Sequence, residues 1–136
     1  MRNKYGNKRV TSLCRYGYSH RSQLERAVCD LVWIREQAGE IEHLKHEHRI
    51  ALTLSKIAYI ADFMVRCTSE TKQEMFIEAK GFESARWPII RKLWRFYGPG
   101  PLEIWKGDYR RPRLDETIIP VEWVTTHAEE TEECED

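Results

Sequence analysis

Apolar and polar positions change period along this chain, and each change marks an element. From Ser22, the apolar residues Leu24, Ala27, Val28, Leu31, Ile34 and Ala38 recur at helical intervals until Gly39, so the spacing predicts a first helix over 22–38. Ser22 and Glu25 stand at the capping-box distance that opens such a helix. Beyond Gly39 the period drops to two. A strand is expected over 41–54, with Leu44, His46, His48, Ile50 and Leu52 alternating with Lys45, Glu47 and Arg49. A second strand follows over 57–67 and a third over 73–80, joined by the polar turn Thr68 to Lys72 as a hairpin. Helical spacing returns from Ser84 to Tyr97, with Pro88 suited to the first turn and Ile89 or Ile90, Leu93, Trp94 and Tyr97 as the apolar stripe. Gly98-Pro99-Gly100-Pro101 breaks that helix. Leu102 to Trp105 then reads as a short strand able to join the sheet in parallel through the helical crossover. Arg110-Arg111-Pro112-Arg113 reads as a basic loop, and the β-branched and aromatic run 118–124 as a segment docked on the body.

Composition narrows the class. With 136 residues, one domain with a real core is expected. The cysteines at 14, 29, 67 and 134 form no C-x-x-C pair, which argues against a disulfide framework and a cysteine zinc site and suits a reducing, cytoplasmic setting. The most apolar stretch, 57–65, is short and interrupted by Asp62, so a soluble protein with no membrane span is expected. The net charge of zero conceals strong blocks. Residues 1–21 hold six bases and no acid, residues 128–136 hold six acids and no base, and residues 86–113 hold eight bases against Glu103 and Asp108. Separated basic blocks suit a polyanionic partner. The organisation expected is a basic arm over 1–21, a folded domain over 22–124 and an acidic tail over 125–136.

The candidate chemistry lies on the second and third strands. Period-2 geometry puts Asp62 on the face of Ile60 and Met64, and puts Glu78 and Lys80 on one face of the next strand. Two carboxylates sharing a cavity repel one another unless a hard divalent cation lies between them. Magnesium is the natural occupant, and a lysine beside it can orient a water or neutralise a phosphate. Acid-x-lysine on a strand is also a common surface charge pair, so the motif alone leaves both uses open. Glu25 is likewise divided between capping its helix and joining the acids. His43, His46 and His48 suggest zinc, but only His46 and His48 share a face on a regular strand, with no cysteine close in sequence.

Helix Glu25, strand Asp62, strand Glu78-Ala79-Lys80 and a following basic helix together resemble the PD-(D/E)XK nuclease superfamily. The opening Asn3-Lys4-Tyr5-Gly6-Asn7-Lys8, the helix start Ser22-Gln23-Leu24-Glu25-Arg26-Ala27, the turn Gln37-Ala38-Gly39-Glu40-Ile41 and Tyr59-Ile60-Ala61-Asp62-Phe63 resemble small phage-encoded endonucleases labelled Holliday junction resolvases. No proline precedes Asp62, and Ala79 stands where that family usually has valine or isoleucine. The resemblance implies a restriction-endonuclease-like α/β fold, with an αβββαβ core and a mixed sheet flanked by helices. It implies a metal-dependent DNA endonuclease, acting on branched DNA as a homodimer in the host cytoplasm. Asp62, Glu78 and Glu25 would hold Mg2+, or Mn2+ in its place, and Lys80 would assist the attacking water. Lys4, Lys8 and Arg9 of the arm and Arg86, Arg91, Lys92 and Arg95 of the second helix would grip phosphates. A general nuclease and a non-catalytic nucleic-acid-binding module use much of the same residue set.

Overall fold

The computed structural model describes residues 13–53, 57–69, 72–81 and 83–121. Lys4, Lys8, Arg9, the N-terminal half of the arm and the acidic tail lie outside the described residues. In order, the elements are α1 (Gln23–Gln37), β1 (Ile41–Ala51), β2 (Ala58–Cys67), β3 (Glu74–Ala79), α2 (Trp87–Tyr97), β4 (Leu102–Asp108) and β5 (Arg111–Ile118). The expected succession of one helix, three strands, a helix and a strand is therefore present, and one further strand completes it. The five strands form one mixed sheet in sequential order. β1–β2, β2–β3 and β4–β5 pair antiparallel, while β3 and β4, joined through α2, run parallel. Among the described residues, no helix is long and apolar enough to cross a membrane.

Two apolar clusters hold the fold together. Leu24, Val28, Cys29 and Val32 of α1 pack with Phe63, Val65, Met75 and Ile77 of the sheet. Trp87, Ile90 and Trp94 of α2 pack with Ala61, Phe76, Leu102, Ile104 and Ile118. The α1 face is rotated from the expected one: Ile34 is 54% exposed, while Glu25 and Cys29 join the buried stripe. Positions 25, 28, 29 and 32 are themselves helically spaced, and the lower contrast of a cysteine and a glutamate hides them in a hydrophobicity count. Arg35 of α1 also reaches across to the buried Glu103 of β4 at 2.8 Å, where the Trp105 indole N–H donates to the same oxygen at 3.0 Å.

Four local expectations are corrected. Arg110–Arg113 is not a loop: a tight turn at Tyr109 and Arg110 leads into β5 from Arg111, where Pro112 pairs with Gly107 and is tolerated on an edge strand with no ladder beyond it. The second helix begins at Trp87, three residues later than expected, with Pro88 still in its first turn. The first strand ends at Ala51 rather than at 54. Residues 13–20, assigned from sequence to the arm, belong to the body: Cys14 and His20 are buried, and Tyr16 and Tyr18 pack on the α1 cluster.

The histidines of β1 also depart from a regular strand. A bulge between His43 and Lys45, and a left-handed Glu47 at φ 55, reset the alternation. His43 stacks on Tyr16 at 4.4 Å and His46 on Tyr18 at 4.2 Å, beside the α1 cluster. His48 instead stacks on Phe76, which belongs to the α2 cluster. His46 and His48 therefore do not share a face.

Candidate active site

The β2–β3 ladder runs from Arg66–Glu74 to Phe63–Ile77 and ends one step short of Asp62 and Glu78. Carboxylates take over there. The Asp62 N–H donates to Glu78 Oε1 at 3.2 Å, and the Ala79 N–H donates to Asp62 Oδ2 at 2.9 Å. Each acid thus accepts from the backbone of the other's strand, which satisfies two N–H groups where the ladder stops and brings the two carboxylates together. Lys80 lies just past β3, its N–H held by the Trp105 carbonyl at 2.8 Å. Its ammonium sits 3.8 Å from Glu78 Oε2, 4.1 Å from the centre of the Trp87 ring and 5.6 Å from that of Tyr59. Two aromatic faces and one carboxylate hold this cation.

Glu25 enters from the first turn of α1. Its N–H is capped by Ser22 Oγ at 3.1 Å, and its Oε2 accepts the Arg21 N–H at 3.0 Å. The capping role anticipated from sequence is present, and it does not remove Glu25 from the site. Glu25 is 7% exposed and lines the same cleft as Asp62, Glu78 and Lys80. That cleft, of about 690 Å³, is also lined by Arg21, Glu47, Arg49, Tyr59, Arg86 and Trp87. Its size falls within the usual range of small-ligand sites.

Crowding decides the charges. Burial and then the charges of Glu78 and Glu25 push the Asp62 carboxyl well above the usual carboxylate range, although the Ala79 N–H opposes this. Burial pushes Glu78 up to about 7 against the pull of Lys80, Tyr59 and the Asp62 N–H, with Glu25 adding to the rise. Burial also opposes ionisation of Glu25, but the His20 imidazole beside it, the Arg21 N–H and Asp62 outweigh it and leave this carboxyl below its ordinary value. Burial and the neighbouring Glu78 and Asp62 charges keep the Tyr59 hydroxyl protonated. Such divergent carboxyls in one cleft mark it as a candidate functional site.

The four expected catalytic residues, Glu25, Asp62, Glu78 and Lys80, thus meet in one place. Among the basic residues expected on α2, Arg86 lines this cleft. Arg91, Lys92 and Arg95 do not: they border a separate groove with Pro88, Phe96 and Glu116. There the Arg91 guanidinium is paired with the Glu116 carboxylate, Nε lying 2.7 Å from Oε1. Arg21, Arg49, Tyr59 and Trp87 are cleft residues that the sequence reading did not single out. Arg49 was legible as a polar position of β1, but nothing local to Trp87 tells a lysine partner from a core residue. The closest grouping of three metal-ligating side chains among the described residues lies elsewhere, at Cys14, His20 and Cys29. Compared with protein-family models, curated proteins and solved structures, the chain matches none.

Proposed function

We propose that this cleft hydrolyses phosphodiester bonds in DNA, as a metal-dependent endonuclease selective for branched substrates. The observation that supports it most is the interlock of half-buried Asp62 with buried Glu78, acids on neighbouring strands whose carboxyls are both driven towards protonation. A divalent cation relieves that repulsion, and the all-oxygen donor set of Asp62, Glu78 and Glu25 suits Mg2+, or Mn2+ in its place. Bound there, the ion would lower the pKa of an attacking water and neutralise charge on the phosphate. Lys80 is positioned to set its ammonium against a non-bridging phosphate oxygen, where negative charge grows as the P–O bond breaks. Arg21, Arg49 and Arg86 at the rim supply phosphate contacts. Selectivity for a four-way junction rests on the family resemblance, and paired cuts on a symmetric junction would take two such sites in a homodimer.

Cleavage of a labelled four-way junction and a matched linear duplex, in Mg2+ and in EDTA, tests the reading on wild type, Glu78→Ala and Lys80→Ala. Paired nicks at the junction in Mg2+ alone, reduced at least about 100-fold in both folded variants, are expected. Equal cutting of both substrates would retain the nuclease and remove the branched-DNA selectivity. Cutting that survives EDTA or Glu78→Ala would refute the site.

A further inference from the structure

A second constellation joins the segment leading into α1 to the helix itself. Cys14 is 7% exposed, His20 2% and Cys29 0%, and one ligand atom from each lies within 4.8 Å of the other two. The two sulfurs are 3.2 Å apart, and the Tyr18 N–H donates to Cys14 Sγ at 3.3 Å. His20 carries the second, independent observation. Neither of its ring nitrogens has a partner within hydrogen-bond distance, Glu25 Oε1 standing off at 3.8 Å from Nδ1, although the side chain is almost wholly enclosed. A buried imidazole without a hydrogen bond costs stability unless something absent from the protein chain satisfies it.

We propose that Cys14, His20 and Cys29 bind a zinc ion, with a water in the fourth position, and that this ion fastens residues 13–20 onto α1. Two thiolates and an imidazole are a borderline-soft donor set that selects zinc over the hard cations suited to the carboxylate cleft. On binding, both thiols release their protons to solvent, and the two thiolate charges balance the cation. Zinc–sulfur bonds of about 2.3 Å at a tetrahedral angle place sulfurs roughly 3.8 Å apart, so the pair needs to open by only about half an ångström. One nitrogen of His20 takes the ion and the other turns to Glu25, whose Oε1 already lies 3.8 Å from Nδ1. Carboxylates behind metal-bound histidines hold the ring and raise its basicity. The site stands independently of the nuclease reading, although Glu25 borders both.

The test is cobalt substitution of the full chain, stripped of metal and kept reduced with a phosphine. One equivalent of Co2+ is expected to give a thiolate-to-cobalt charge-transfer band and the intense visible bands of four-coordinate cobalt, abolished by one equivalent of Zn2+. Millimolar Mg2+ should leave those bands unchanged, and so should Glu78→Ala, which separates this site from the acid cleft. Cys14→Ser and Cys29→Ser should each lose the band. Since either variant could fail to fold, the wild-type spectrum decides by itself. Folded, reduced wild type without the thiolate band would overturn the proposal. So would peptide mapping that finds Cys14 and Cys29 joined as a disulfide in protein prepared with zinc present.

Discussion

Replacing Glu78 by glutamine should stabilise the metal-free protein in alkaline solution while destroying its proposed activity. Glu78 is 7% exposed, and its carboxyl ionises at about 7 in place of an ordinary 4.5. The folded state therefore holds this proton more tightly than the unfolded chain. That contribution to stability is complete below pH 4.5 and is lost as the pH rises through 7. The displacement corresponds to about 3 kcal/mol. Glutamine has nearly the same volume, can still accept the Asp62 N–H and does not titrate. It also relieves Asp62 of a neighbouring charge, a change of the same sign. Urea unfolding in EDTA at about pH 4 and about pH 8 should show wild type losing roughly 3 kcal/mol relative to Glu78→Gln. Added Mg2+ should restore wild type at the higher pH and leave the variant unmoved. A stability difference equal at both pH values would refute the claim that burial opposes the Glu78 charge.

Other expectations concern binding and packing. Arg86→Ala should reduce the salt slope of DNA affinity by about one phosphate contact, measured by fluorescence anisotropy across a salt series. Arg91→Ala should leave that slope unchanged, because Arg91 borders another groove and is already paired with Glu116, and should cost less than about 1 kcal/mol in chemical denaturation. Gly100→Ala should cost about 1–3 kcal/mol in the same measurement, since an added Cβ would lie 2.7 Å from the Glu74 carbonyl oxygen on the neighbouring strand.

The period of the apolar residues was enough to locate six of the seven elements, and the alternation along the third strand was enough to set Glu78 and Lys80 side by side. Those properties are local. Ladder spacing and side-chain direction follow from the residue count along a strand, so Glu78 and Lys80 had to point together wherever the strand lay. The strand of Arg111–Ile118 escaped because Arg-Arg-Pro-Arg has turn chemistry, and what makes it a strand is its partner β4. The turn of α1 that buries Glu25 was hidden for a related reason: a glutamate is scored as polar until the sheet beneath it is known.

Tertiary structure alone decided the rest. The mutual hydrogen bonds of Asp62 and Glu78 depend on where the β2–β3 ladder ends, and the Lys80 cage on the packing of α2 against the sheet. The separation of Arg86 from Arg91, Lys92 and Arg95 depends on which side of α2 meets the cleft. Cys14, His20 and Cys29 have no motif spacing, since the segment before α1 folds back onto the helix and sets fifteen residues of separation to 3.2 Å between sulfurs. Sequence determined which residues face alike where an element is regular, because that geometry is covalent and periodic, and it missed the irregularity that parts His46 from His48 in β1. Which elements meet is decided by the burial of apolar surface over the whole chain, and no single stretch of it carries that information.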